Sequence, residues 1–273
     1  IRDIGVTGVQ TCALPISLLK LSGGDTQSFL QGQFSNDIDA LEGGAVQLNA
    51  YCQHQGKIIA LLWVIKRDDD FYLSFPSDLA ELVTKRLTMF KMMSDVTITD
   101  VSNEVIQLGV IDEEFDGAFK LNDQQSVALV DKHEFDLSDE SNWDKSCIEN
   151  GVPEVYLDTS EQFVPQLLNL DINEVGVSFT KGCYPGQEVV ARLHYLGKSK
   201  RRMRVFTCDA DVNIGDELVV AGSKSAKASG IVVRCVKLDS KSLCLATVEV
   251  AHEDGKITLN NAEGALLTRI QND

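Results

Sequence analysis

No apolar run in the sequence is long enough to cross a bilayer. The longest, Ile58 to Ile65, falls far short of the ~20 residues that a membrane-spanning helix needs, so a soluble chain is expected. Positive charge is also scarce. Lys and Arg number 25 against 41 Asp and Glu, a formal charge of −16, which argues against a non-specific nucleic-acid binder. The balance favours small molecules or proteins as partners, although an acidic surface also serves solubility alone. The seven cysteines sit singly, with no C-x-x-C pair and no His/Cys cluster at zinc spacing. That pattern argues against a zinc module and, in a chain of this length, against a disulfide framework. A reducing, cytoplasmic setting and no metal ligands are expected.

What the chain does have is an ordinary globular composition, 44% hydrophobic over 273 residues, enough for a sizeable core divided among two or three sub-domains. Leu18 to Leu21 reads as a short strand, followed by a helix capped by Asp25 that carries Phe29 and Leu30 inward. Val46, Leu48, Ala50 and Cys52 alternate as in a half-buried strand. Ile58–Lys66 is continuously apolar, as in a strand covered on both faces, and Phe71–Phe75 follows after a turn. Asp78 is placed to cap a helix whose apolar face runs through Leu79, Leu82, Val83, Leu87, Phe90 and Met93. Strands are expected at Val96–Val101, Glu104–Ile111 and Ser126–Val130, the last within the acidic, weakly patterned stretch 112–142. A helix at Trp143–Asn150 has Asn142 as its candidate cap. Beyond Arg204, short β-rich runs separated by Gly, Ser, Asn and Asp predict a small barrel or sandwich. The whole reads as α+β, with helices on antiparallel sheet.

The first sixteen residues stand apart. Val6 to Ile16, V-T-G-V-Q-T-C-A-L-P-I, resembles the translation of a sequencing-library adapter, so residues 1–16 are expected to be foreign to the fold and Cys12 to have no role. The native N-terminus is then not visible in this sequence.

The most informative stretch is Phe179 to Arg192, F-T-K-G-C-Y-P-G-Q-E-V-V-A-R. Pro185-Gly186 bends the chain into a helix over Gln187–Tyr195 with Val189, Val190 and Leu193 inward. Cys183 then lies ahead of a helix N-terminus with Lys181 two residues away, and dipole and cation together favour a thiolate, the reactive form. A small buried core thiol is the alternative. Lys198, Lys200, Arg201, Arg202 and Arg204 place five cations in seven residues. They suit the anionic tail of a ligand, with RNA phosphate as the runner-up reading and an exposed linker between domains as the plain alternative.

The motif K-G-C-Y-P-G-Q-E followed by Arg192 resembles the hallmark of the YgfZ-type folate-binding proteins, relatives of the glycine-cleavage T-protein. Two further blocks agree in order: Gln31-Gly32-Gln33-Phe34-Ser35-Asn36-Asp37, and Phe163-Val164-Pro165-Gln166-Leu167-Leu168-Asn169-Leu170. The resemblance implies a T-protein-like fold, with ferredoxin-like α/β lobes around a central channel at 17–197, the second lobe short, and a C-terminal β-barrel at 198–273. It implies tetrahydrofolate as cofactor, iron–sulfur enzymes or cluster carriers as partners, support of tRNA modification, no stable nucleic-acid binding, and a monomer. Cys183 is the implied reactive residue. Trp143, Gln33, Asp37, Gln166, Asn169, Lys181 and Arg192 are the implied folate-binding set. Trp143 falls where the family has a channel tryptophan, an indole able to stack on a pterin or aminobenzoyl ring, though a core tryptophan reads as well. Trp63, on a buried strand, is expected to be a bystander. One departure bears on activity. Where the T-protein carries a catalytic aspartate pair after its G-G-x-I turn, this chain has Ala60-Leu61 after Gly56-Lys57-Ile58-Ile59. Apolar side chains cannot move a proton, so folate-dependent aminomethyl transfer stands as the alternative function rather than the leading one.

Overall fold

The computed structural model describes residues 11–13, 16–131, 141–221 and 229–271. In chain order, β1 (Thr11–Ala13), β2 (Ile16–Ser22), α1 (Thr26–Gln33), β3 (Val46–Cys52), β4 (Ile58–Arg67), β5 (Asp70–Pro76), α2 (Ala80–Phe90) and β6 (Thr97–Asp100) build most of the first lobe. Its sheet has the order β3-β4-β5-β2-β6, all pairs antiparallel. Strands β7 (Val105–Ile111), β8 (Phe119–Lys120) and β9 (Gln125–Asp131), with α3 (Ser141–Glu149), form a shorter second lobe of order β1-β7-β9-β8. After α4 (Gln187–Leu196), a closed antiparallel barrel follows from β10 (Arg201–Cys208), β11 (Glu217–Val220), β12 (Gly230–Lys237), β13 (Ser242–Glu249), β14 (Ile257–Leu259) and β15 (Leu266–Ile270).

Strand β4 explains why the lobes cohere. Its run of Ile, Ala, Leu and Val has no polar face to leave in water, and it is covered on both sides. Ala60, Leu62 and Val64 join Phe29, Leu30, Phe34, Leu79, Val83 and Leu87 under α1 and α2. Ile58 and Leu61 join Phe163, Leu168 and Val190 and the outer face of the barrel. Ile65 reaches the second lobe beside Trp143. Burying each such aliphatic side chain contributes roughly 1.5–3 kcal/mol before entropy is counted.

Several local expectations change. Asp25 and Asp78 make no cap hydrogen bond to their helices. Instead Asp25 accepts from the Asp95 amide at 2.8 Å and Asp78 from the Leu157 amide at 2.8 Å, so both carboxylates tie distant loops together. Asn142 lies inside α3 rather than ahead of it. Helix α2 ends at Phe90, so only Leu79, Val83 and Leu87 of the expected face are buried; Leu82 and Phe90 are exposed and Met93 is 98% exposed. The segment set aside as foreign is partly inside the fold: Thr11–Ala13 pair with Val110–Leu108 of β7, and Ile16 opens β2 opposite Pro76. The remainder of that segment, residues 1–10, 14 and 15, lies outside the described residues. No helix among the described residues is long and apolar enough to cross a membrane.

Candidate functional site

The Phe179–Arg192 motif folds as a corner with an alternating fate for its side chains. Lys181 and Tyr184 are buried, while Gly182 and Cys183 between them are exposed. The Lys181 ammonium donates to three main-chain carbonyls at the end of α1, those of Gln31 (2.7 Å), Phe34 (2.6 Å) and Asn36 (2.8 Å), and sits 5.4 Å from the Tyr184 ring centre. Carbonyls left over at a helix end need donors, and a lysine supplies three at once. Burial pulls the Lys181 ammonium down to about 8, against the pull of Asp37 and Asp39. Gly186, with φ +85°, starts α4; a Cβ there would stand 2.6 Å from the Gln53 carbonyl oxygen and 2.7 Å from the Gly56 Cα. Only glycine allows that approach, and it locks the turn before α4 onto the turn before β4.

The corner therefore fixes Cys183, but not as the sequence suggested. Lys181 spends its protons on α1 carbonyls and so is not the cation beside the thiol. Val190 alone of the expected inward set is buried; Val189 is 38% exposed and Leu193 half-buried. Among the six cysteines whose side chains are described, Cys183 is the exposed one. Burial pushes the thiols of Cys52 to about 12 and of Cys147 and Cys235 to about 11, and raises that of Cys244 as well. Those four stay neutral at physiological pH, and neutral thiols are poor nucleophiles and ligands.

The remaining implied residues fall into separate places. Gln33 ends α1, and Asp37 accepts from Gln31 Nε2 at 2.8 Å and the Asp39 amide at 3.2 Å, so both share the Lys181 corner. Gln166 donates to the Val190 carbonyl at 2.8 Å, and Asn169, in the left-handed conformation at φ 61°, donates to the Met203 carbonyl at 3.0 Å. These two stitch α4 and β10 to the turn Pro165–Leu168. Arg192 is on the surface, paired with Glu188 at 2.6 Å. The basic stretch is largely neutralised: Arg202 pairs with Asp171, Arg204 with Glu253 (2.7 Å) and Arg201 with Glu249 (3.6 Å). Lys198 and Lys200 are left exposed.

Trp143 stands elsewhere again, in a cavity of about 70 Å³ where the second lobe, α3 and the barrel meet. It is 4% exposed, and its six-membered ring lies so close on Gly109 that a Cβ there would be 2.4 Å from Cε3. Trp63, expected to be a bystander, lines the same cavity, as does Ile16. The reason is β4's position at the junction of all three units. Arg234 reaches in from β12, donating to Asp144 through Nε (3.1 Å) and Nη2 (2.8 Å) and pairing with Glu154 at 3.1 Å. The Tyr156 hydroxyl also donates to Glu154, at 3.2 Å. Burial raises the Glu154 carboxyl against the pull of Arg234. Burial also works against the charge of Arg234, but its neighbours Cys147, Glu154, Tyr156 and Asp144 more than offset it and hold the guanidinium above the ordinary arginine range. Gln107, 3% exposed, lines the cavity with its Oε1 buried and unpartnered. Sequence reasoning missed this group. One signal was present: Arg234 interrupts the otherwise apolar run Ile231–Val236, and a charge inside a buried strand calls for buried partners.

The two lobes and closed barrel define a T-protein-like fold. The chain superposes on the glycine cleavage system aminomethyltransferase T of Bartonella henselae with a TM-score of 0.70, over 97% of this chain and 85% of that one, at 11% identity. No family model matches the chain. Its sequence is 31% identical to an uncharacterized protein of Haemophilus influenzae over 81% of this chain and 82% of that protein. It is 30% identical to the tRNA-modifying protein YgfZ of Colwellia psychrerythraea over 68% of this chain and 67% of that one. The YgfZ of Photorhabdus laumondii is 28% identical over 88% and 86%. The chain belongs to the YgfZ family of tRNA-modifying proteins.

Proposed function

We propose that the chain is a cytoplasmic, tetrahydrofolate-binding accessory factor for assembly or repair of iron–sulfur clusters, supporting cluster-dependent enzymes that include those of tRNA modification. The observation that carries this reading is the Cys183 corner. A buried lysine, a buried tyrosine and a glycine-only contact hold one exposed thiol in place, whereas Cys52, Cys147, Cys208 and Cys244 are buried. A thiol so presented suits exchange with a cluster or with a cysteine of a client protein, the cluster being cargo rather than a resident group.

The cavity fits the folate side of the reading. Two indoles can stack on a flat ring, and the Arg234–Glu154–Asp144 group and the orphaned Gln107 acceptor meet a polar heterocycle. There tetrahydrofolate would carry a one-carbon unit or simply report folate status. Aminomethyl transfer, the activity named for the Bartonella protein, is disfavoured because Ala60 and Leu61 are buried and apolar and offer no proton acceptor. The test is complementation. Cys183→Ala should abolish support of iron–sulfur enzymes in cells depleted of the native factor, while the purified variant keeps wild-type tetrahydrofolate affinity. A variant that complements fully sinks the assignment.

A further inference from the structure

We infer that the outer face of α2 and the turn after it dock the protein that meets Cys183, and that this partner presents an acidic segment with apolar anchors. The inference rests on the iron–sulfur reading above and supplies the partner's side of it. Three observations lead there.

First, the face is apolar although it is in water. Leu79, Val83 and Leu87 hold α2 to the core, while Leu82, Met89 and Phe90 are exposed, Met92 is 82% exposed and Met93 98%. Leu82 and Met89, seven residues apart, share one side of the helix, and the turn adds two methionines. Large apolar side chains gathered this way mark a contact surface, and methionine adapts its shape to a partner. Second, the local charge is opposite to that of the chain. Lys85 to Met93 holds Lys85, Arg86 and Lys91 and no acid, in a chain of −16. Lys85 is exposed and makes no ion pair among the described residues. Lys91 donates to the Val96 carbonyl at 2.7 Å, and Arg86 lies over aromatic rings, so neither cation is spent on a carboxylate. Cations around apolar anchors are complementary to an acidic amphipathic segment. An anionic bilayer fits less well, because a flat surface would also meet the exposed carboxylates of Asp25 and Asp95, which are tied together beside Met93. Third, the face adjoins the thiol corner. The Arg86 guanidinium lies 5.3 Å from the Phe90 ring centre and 5.5 Å from that of Tyr51. Tyr51 meets Phe34 edge-on at 5.4 Å, and the Phe34 carbonyl accepts from Lys181, two residues from Cys183. A few side-chain widths thus separate Phe90 from the Cys183 loop, within the span of one standard interface of about 800 Å² per partner.

The experiment uses two fluorescent amphipathic peptides with the same leucine face, one flanked by glutamates and the other by lysines, and reads anisotropy. It is run at physiological salt, which screens the rest of the acidic surface beyond about 8 Å. The wild type should bind the glutamate peptide about tenfold more tightly than the lysine peptide. Lys85→Glu should bring the two within about twofold. The double variant Met92→Ser, Met93→Ser, changed only at exposed positions, should weaken the glutamate peptide about tenfold. Both variants should keep the wild-type urea midpoint and rate of Cys183 labelling, yet lose most of the support for iron–sulfur enzymes in cells. The inference is overturned if wild-type binding is absent or blind to charge, or if either variant complements fully. It is also overturned if sedimentation shows the face holding phosphatidylglycerol vesicles or a second copy of the chain instead. In each of those cases, failure of Cys183→Ala to complement leaves the accessory reading standing. If Cys183→Ala complements, that reading falls and this inference with it.

Discussion

At the Cys183 corner, a single contiguous stretch supplies the buried lysine, the exposed thiol, the anchoring tyrosine and the turn glycine, and only main-chain carbonyls answer from elsewhere. The indole cavity is assembled differently. Trp63 comes from β4, Gln107 and Gly109 from β7, Trp143 and Asp144 from α3, Glu154 and Tyr156 from the loop after it, and Arg234 from the barrel. A corner of the first kind is a property of local chain geometry. A cavity of the second kind exists only once three units have docked, so its charges are held by partners far away in sequence. The difference teaches that the cavity should be the more fragile of the two, and the corner the more tolerant of changes at its exposed residue.

The largest effect expected from breaking that contrast is at Arg234. Replacing it by methionine keeps bulk but strands Asp144 and Glu154 without a cation. Breaking a buried ion pair typically costs 3–5 kcal/mol. The low end, about 3 kcal/mol, is expected here, because the Asp144 and Glu154 side chains keep 31% and 19% of their exposure. Urea unfolding of Arg234→Met should show this loss, and a change under about 1 kcal/mol would mean that the barrel does not depend on the cavity for docking.

A smaller loss is expected at the corner's own buried charge. Lys181→Met removes the donor shared by the carbonyls of Gln31, Phe34 and Asn36. Unsatisfied buried acceptors cost about 1–3 kcal/mol each when no water replaces the donor. Half-buried surroundings at Gln31 and Gln33 admit some water, so about 2 kcal/mol in all is expected by the same unfolding measurement. An unchanged midpoint would show that the lysine is dispensable and that Gly186 and Tyr184 alone hold the loop.

The same contrast explains what could be read in advance. The YgfZ motif, the helix after Pro185-Gly186, the continuous apolar run of β4 and the turn-separated strands of the barrel are local signals, and each has its counterpart in the fold. The cavity was read in advance only at Trp143, although Arg234 inside the apolar run of β12 was a second local signal. Nothing in the neighbourhood of Trp63 distinguishes it from a core residue, because what makes it a wall is a second lobe packed on the opposite side. Glu154 and Gln107 gave no signal either, since a single acidic or amide residue in an acidic chain has no period or spacing to mark it. Lys181 misled for a related reason: proximity in sequence to Cys183 suggested a charge partner, whereas the long side chain satisfies carbonyls some 150 residues away in sequence. Asp25 and Asp78 show the same preference for tertiary over local partners.

The smallest effect on stability, and the sharpest on reactivity, is expected at Cys183 itself. Its side chain is exposed on a loop whose anchors are other residues, so Cys183→Ala should change unfolding free energy by no more than about 0.5 kcal/mol, as surface substitutions do. Brief treatment with iodoacetamide at pH 8 should modify Cys183 before any other described cysteine. Access decides part of this order, since Cys52, Cys147, Cys208 and Cys244 are buried. Ionisation decides the rest: pushed up to about 12, 11 and 11, the thiols of Cys52, Cys147 and Cys235 remain protonated at pH 8, and only a thiolate attacks. Half-exposed Cys235 is the informative control, since its thiol is reachable but donates to the Val212 carbonyl at 3.2 Å. Mass-spectrometric mapping of each modified peptide ranks them. Labelling of Cys235 as fast as Cys183 would show that the corner confers nothing beyond exposure, and a Cys183→Ala loss above 1 kcal/mol would make that cysteine a packing residue after all.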